Sequence, residues 1–256
     1  MNTFSLVFWS ELLKVKNTFA FWLVVFGALC IPLFVSIEFV NQASKIVNPP
    51  GINPWDYGWI RSIRGVAIFA SPATIIILTA LLLNIEYKNN AWKYILTLPV
   101  SKASIYINKA LVAILLLVLF YLLLISFFLL LGGVIGWCLP KTGLLDHQPA
   151  IMQMIYLSFR SFIASLVVLA IHFWLNFRIK NMFITIGIGL MFVFISMPSF
   201  SKLENTFYFP YNYGLQTAFH NHTGSGLLAK QEVYSLILFV SIGFLSYIDF
   251  IKRFRG

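Results

Sequence analysis

Long apolar runs alternate with short polar connections along the chain. Residues 17–37, 65–85 and 110–140 carry no charge at all, and apolar runs recur at 151–177, 182–197 and 232–251. About 20 apolar residues in a helix cross a hydrocarbon core of about 30 Å. The pattern predicts crossings near 19–40, 65–85, within 110–140, and at 151–177, 182–197 and 232–251. The run 110–140 is longer than one crossing needs. A split into two would require a hairpin with no polar tip inside hydrocarbon, where unpaired backbone is costly. It predicts one long helix and then an outer turn around Gly132, Gly133 and Gly136.

The connections carry the punctuation. Residues 41–64 contain Asn48-Pro49-Pro50-Gly51 and Asn53-Pro54, which predict a loop. Residues 178–181 form a tight basic turn, and 198–231 a longer loop with an aromatic run at 207–213. Ahead of the first crossing, Phe4, Phe8, Leu12 and Val15 recur at helical spacing, with Ser10, Glu11, Lys14 and Asn17 on the other side. This is an amphipathic helix that either lies on the membrane surface or extends the first crossing. The first apolar run starts late and no small-residue cleavage site follows, so the opening residues are expected to be retained. The fold class is all-α: one polytopic membrane domain over 1–256, with six transmembrane helices, an N-terminal amphipathic helix and a further short helix described below.

Composition agrees. The chain is 60% hydrophobic and 10% charged, whereas a soluble domain carries about 25% charged residues. A net charge of +10 would raise nucleic acid in a soluble protein. Here the cations sit between apolar runs, and no basic patch interleaved with aromatics lies on a polar domain, so nucleic acid is not an expected partner. One side of the membrane receives Lys14, Lys16, Lys88, Lys93, Lys102, Lys109, Arg178, Lys180, Lys252, Arg253 and Arg255. The other receives Lys45, Arg61, Arg64, Lys141, Lys202 and Lys230 over longer loops. The positive-inside rule makes the first side cytoplasmic and places both termini there, in a cell membrane. Cys30 and Cys138 sit in apolar runs without a CxxC and read as small packing residues.

The connection between the second and third crossings, residues 86–102, is too apolar for a solvated loop. Ala91, Ile95 and Leu98 line one helical face, bordered by Trp92. Pro99 ends that helix, and Ser101 caps the next one, which starts at Lys102. The segment predicts a short helix lying flat at the cytoplasmic surface with a small apolar face. Such a helix either docks into a groove on a cytoplasmic partner, passing a rigid-body push to the crossings on both sides, or rests among headgroups.

Glu86-Tyr87-Lys88 with Trp92-Lys93, then Leu98-Pro99-Val100-Ser101-Lys102 and Lys109, resembles the first cytoplasmic segment of ABC-2-type transporter permeases. Within that group it is most similar to the small permeases of lantibiotic immunity and bacitracin export. Glu11 and Lys14 ahead of the first crossing are similar to the start of those proteins. The resemblance implies an ATP-driven export or expulsion of a hydrophobic or peptide-like substrate, with antimicrobial peptides among the candidates. It implies permeases paired as two copies or with a related permease, and two ATPase subunits on the cytoplasmic side. Glu86, Lys88, Trp92, Ile95, Leu98, Pro99, Ser101 and Lys102 would form the ATPase-coupling segment. Glu11 and Lys14 would belong to an elbow helix beside it, and the 198–231 loop would fold as short outer helices capping the pathway.

The chain has no GxxxxGK[ST] and cannot cradle phosphates itself. ATP and magnesium are expected on a separate ATPase, with no cofactor in this chain. Among other candidates, Arg160 lies near mid-membrane, where an ionisable side chain must face protein or water. It either lines the pathway or pairs with Glu38 or Glu232, and the pair is the favoured reading. His220 and His222 lack the companions of a metal site, and His172 reads as a packed or interfacial residue rather than a ligand. No HExxH or paired-carboxylate arrangement points to enzyme chemistry. A scaffold or sensor docking another cytoplasmic partner, and an ATP-independent carrier, remain the other functional classes.

Overall fold

The computed structural model describes residues 3–16, 18–42, 53–88, 91–95, 97, 99–197, 209–219 and 227–253. Within them the chain forms α1 (Thr3–Val15), α2 (Phe19–Gln42), α3 (Pro54–Gly65), α4 (Ser71–Lys88), α5 (Trp92–Ile95), α6 (Lys102–Cys138), α7 (Ile151–Arg178), α8 (Met182–Ser196), α9 (Asn212–Phe219) and α10 (Lys230–Arg253). The described residues contain no strand. Five helices are long and apolar enough to cross a membrane: Phe19–Asn41, Pro54–Lys88, Lys102–Cys138, Ile151–Arg178 and Lys230–Arg253. A sixth apolar helix, α8, is shorter at 15 residues.

Contacts between distant segments define two ends. At one, Glu11, Glu86 and Lys109 meet, the Tyr87 hydroxyl donates to the Phe177 carbonyl, and Arg253 donates to the same carbonyl. We call this the basic end. At the far end, Asn53 donates to the Gln148 carbonyl, Trp55 Nε1 to the Leu144 carbonyl, and Arg64 to the Ala218 carbonyl. The crossings alternate between these ends, so α1 and the close of α10 share the basic end.

The loop expected over 41–64 is corrected in its second half. Residues 54–65 are helical and run without a break, through a π-helical stretch at Val66–Ala70, into α4. Asn53-Pro54 is a helix start rather than a breaker. The Asn53 side chain accepts from Trp55 N, and Pro54 takes the first turn, where its missing N–H costs nothing. Trp55, Trp59 and Ile63 then follow at four-residue spacing and are buried, with both indoles edge-on to Phe128 of α6.

A second correction concerns Gly132, Gly133 and Gly136. They lie inside α6, a single helix of 37 residues, about 55 Å long at 1.5 Å per residue. Gly132 is a packing site: a Cβ there would stand 2.5 Å from the Trp55 ring. The turn comes later, at Gly143, whose φ is +68°. Cys30 and Cys138 are exposed and free rather than packed inside.

In the bundle, α2 lies along α6 and α10 along α7, with α4 between α2, α7 and α8. Glycines permit two of the close approaches. A Cβ on Gly27 of α2 would be 2.6 Å from Thr74 Oγ1 of α4, and one on Gly189 of α8 would be 2.5 Å from the His172 ring of α7.

Candidate functional site: the basic end and two buried charge clusters

At the basic end, two acids and two bases from three helices form one buried cluster. Glu11 of α1 accepts from Lys109 of α6 at 2.7 Å and from Lys14 at 2.5 Å. Glu86 of α4 accepts from Lys14 at 3.2 Å and also pairs with Lys109. Lys109, Glu86 and Glu11 are all buried. The formal charge of the four sums to zero, which is the condition for tolerating ions away from water. Burial alone would raise the Glu11 carboxyl, but the ammonium groups of Lys109 and Lys14 outweigh it and hold the group below its ordinary value. Burial likewise opposes the charge on Lys14, and Glu11 and Glu86 override it, so its pKa is raised.

This corrects the expected attitude of α1. Val15 is buried and Phe8 and Leu12 pack on the core, as the apolar face predicts, but Glu11 turns inward with them. Phe4, Leu6, Trp9 and Leu13 are exposed. The reason is charge: Glu11 and Glu86 share the buried ammonium of Lys109 on α6, and Lys14 follows Glu11 into the same cluster.

Next to this cluster lies an aromatic one. Trp92, Tyr106, Phe173, Phe177 and Phe250 are buried together. Trp92 stands 6.0 Å from each of the Phe177 and Phe250 rings, and Lys109 Nζ lies 5.8 Å from its ring centroid. The short helix α5 starts on Trp92. Its outward side is therefore Lys93 and Tyr94, the latter 74% exposed, followed by exposed Thr97 and Pro99. Trp92 is an anchor pointing into the bundle, and Ile95 packs partly on the same cluster. The expected apolar face looks inward because four helix ends present aromatic rings there. Leu98 lies outside the described residues. Ser101 caps α6, its hydroxyl accepting from Ser104 N at 3.1 Å, with Lys102 the first helical residue. Lys88 ends α4 and is exposed.

The second buried cluster joins α7, α9 and α10 in the far half. Arg160 pairs with Glu232 through Nε at 2.9 Å and a terminal nitrogen at 2.8 Å. Glu232 also accepts from the Thr217 hydroxyl at 3.0 Å and from Ala229 N at 2.7 Å. Glu38 pairs instead with Arg61 at 2.8 Å, in a half-exposed position. Of the two partners expected for Arg160, Glu232 is the one found.

The sequence reading missed a third polar network. His172 is fully buried and Nε2 lies 2.5 Å from the Tyr211 hydroxyl. Asn176 bonds Thr79 and Thr185, and Ser71 bonds Tyr121. The sequence signal is small hydroxyl residues in apolar runs, together with His172 and Asn176 in the same run. Of the outer loop, α9 is described, with Tyr211 and Tyr213 buried; Phe207, Tyr208, His220 and His222 lie outside the described residues. Among the described residues no group of His, Cys, Asp and Glu is placed to hold a metal ion.

These features define a polytopic α-helical membrane protein whose short helix α5 is held to several crossings by the rings around Trp92, beside a buried ion-pair cluster. Residues 7–196 match the family described as ABC-2 family transporter protein. The chain belongs to that family and is a membrane permease of an ABC transporter, its transmembrane, non-catalytic part. No curated protein and no solved structure gives a significant match.

Proposed function

We propose that this permease is driven by an ABC ATPase on a separate polypeptide, which binds at the basic end against α5 and its flanks. ATP and magnesium would act on that partner. The carrying observation is the fastening of α5: Tyr94 and Lys93 project outward while Trp92 is locked among rings of α6, α7 and α10. A push on the exposed side is thereby delivered to several crossings as a rigid-body load rather than absorbed by a loose loop. Glu86, Lys88, Ile95, Pro99, Ser101 and Lys102 then belong to the frame of the coupling segment, and Glu11 and Lys14 tie the elbow helix α1 to that frame. The distribution of cations supports a cytoplasmic basic end in a cell membrane. The exposed apolar faces of α2 and α10 are open to lipid, a second copy or a related permease. The likeness to lantibiotic-immunity and bacitracin-export permeases supports a hydrophobic or peptide-like substrate that is exported or expelled.

Co-purification with the genomically adjacent ATPase tests this. The wild-type chain should carry the ATPase, and Lys93→Glu with Tyr94→Ala should lose it while keeping the fold. A wild-type chain that carries no ATPase, or a variant that binds it as well as wild type, counts against the reading. Retention instead of a sensor kinase or assembly factor would favour a scaffold.

A further inference from the structure

The basic end contains a cleft beside the ion-pair cluster that shares Lys88, Trp92 and Lys93 with the coupling segment. It encloses about 550 Å³ and is lined by Tyr87, Lys88, Trp92, Lys93, Lys180 and Arg253, among others. No acid lines it. The acids nearest in the fold are already engaged: Asp249 holds Arg178 through both oxygens at 2.7 and 2.8 Å, and Glu86 holds Lys109 and Lys14.

Three helices, α4, α7 and α10, end at this cleft, and their C-terminal dipoles attract cations. That is the ordinary explanation for lysines here. Each terminus is equivalent to roughly half a negative charge, so three supply about one and a half against four cations. Arg253 accounts for much of that share, since it donates to the Phe177 and Arg178 carbonyls at 2.8 and 3.1 Å. Lys88, Lys93 and Lys180 are left facing the cleft with a clear surplus of positive charge.

Two features select among anions. The cleft lies where the crossings end, so it opens at the level of the membrane surface. Tyr87 and Trp92 form part of its wall, and amphipathic rings of this kind favour the headgroup layer. Basic pockets between helix ends at such a level suit phosphate-bearing headgroups.

We infer that this cleft is a binding site for a phosphate ester, held by Lys88, Lys93 and Lys180 and supplied by an anionic membrane lipid. The bound headgroup bridges the ends of α4, α5 and α7 and so stiffens the frame on which α5 is mounted. The inference stands whether or not an ATPase binds nearby.

The test uses the full chain in nanodiscs of phosphatidylcholine containing a minor share of phosphatidylglycerol. After re-extraction, retained lipid is counted by mass spectrometry for wild type, Lys88→Gln/Lys180→Gln, and the charge-matched control Lys141→Gln/Lys230→Gln, whose lysines sit at the far end. Retention of phosphatidylglycerol over phosphatidylcholine should fall roughly fivefold or more in the first variant and not in the control. In detergent, dioctanoyl phosphatidylglycerol should raise the unfolding temperature of wild type and not of the first variant. Inorganic phosphate giving the same protection would make free phosphate the source and overturn the lipid assignment. Equal retention in all three proteins, or loss of ATPase binding in the first variant with lipid retention unchanged, would overturn the site.

Discussion

Lys109 Nζ lies 2.7 Å from Glu11 Oε2, across 98 residues of sequence, with both side chains buried at the basic end. The contact fastens α1 to α6, and through Glu86 it fastens both to α4. A buried ion pair is weak evidence of net stabilisation, because desolvation offsets most of the attraction. Breaking one is costly, because the ion left behind has no water to return to.

Lys109→Met should therefore destabilise the chain by about 3–5 kcal/mol, since it leaves two buried carboxylates to share the half-exposed Lys14 alone. Thermal unfolding in detergent measures this. Adding Glu11→Gln to Lys109→Met should restore part of the loss, because one of the two carboxylate charges goes. A loss in the double variant equal to the sum of the singles would mean that the groups do not interact.

The same cluster sets a pH window for the docking of α1. The Glu11 carboxyl titrates below its ordinary value of 4.5 in the folded protein. Its contribution is present above that ordinary value and is lost as pH falls through the lowered folded one. Lys14 titrates above its ordinary value of 10.5. Its contribution is complete below that value and is lost as pH rises through the raised one. Hydrogen exchange of the α1 amides, corrected for the intrinsic pH dependence, should show constant protection between these limits and loss beyond each. Protection that declines steadily across neutral pH would contradict the assignment.

Trp92 and Tyr94 separate anchoring from contact. Trp92→Ala empties a ring site among Phe177, Phe250 and Tyr87 and should cost about 3 kcal/mol or more. Tyr94→Ala removes an exposed side chain and should change stability by less than about 0.5 kcal/mol, while weakening the complex with the ATPase. Equal stability losses in the two variants would place Tyr94 inside the bundle as well.

Gly189 tests the seating of α8. A Cβ there would meet the His172 ring at 2.5 Å and Ile76 at 2.7 Å, whereas one on Gly187 meets nothing within 4 Å. Gly189→Ala should destabilise by about 1–3 kcal/mol, and Gly187→Ala should be neutral or slightly stabilising, as alanine favours the helix. Unfolding temperatures of the two variants, compared with wild type, decide it.

The crossings were legible because lipid imposes a length and a composition on any segment that spans it. The ends of the helices were less so. Asn53-Pro54 signals either a loop or a helix start, and only the four-residue spacing of Trp55, Trp59 and Ile63 tells them apart. Gly132 read as a turn residue because glycine serves both turns and close packing, and its neighbour Trp55 lies far off in sequence. Trp92 could not be oriented from four residues of helix, since most of the rings around it come from α6, α7 and α10, the last two far off in sequence. Glu11, Lys14, Glu86 and Lys109 were each visible as charges near one membrane face, but nothing local says that four such charges close on one another. Arg160 was the easier case: one cation deep in an apolar run has few acids to choose from.

That pair also separates a structural role from a place in the pathway. Arg160 and Glu232 are both buried, and Thr217 and Ala229 N complete the coordination of the carboxylate. Arg160→Met alone leaves Glu232 charged in an apolar setting and should cost about 3–5 kcal/mol. Arg160→Met with Glu232→Leu removes both ions in favour of side chains of similar volume, an exchange that is often neutral or stabilising. If the pair only holds α7, α9 and α10 together, the double variant should regain the unfolding temperature of wild type and, in complex with its ATPase, the rate of ATP hydrolysis. Regained folding without regained turnover would instead give the guanidinium a task during transport, because a group needed only for packing is replaceable by packing.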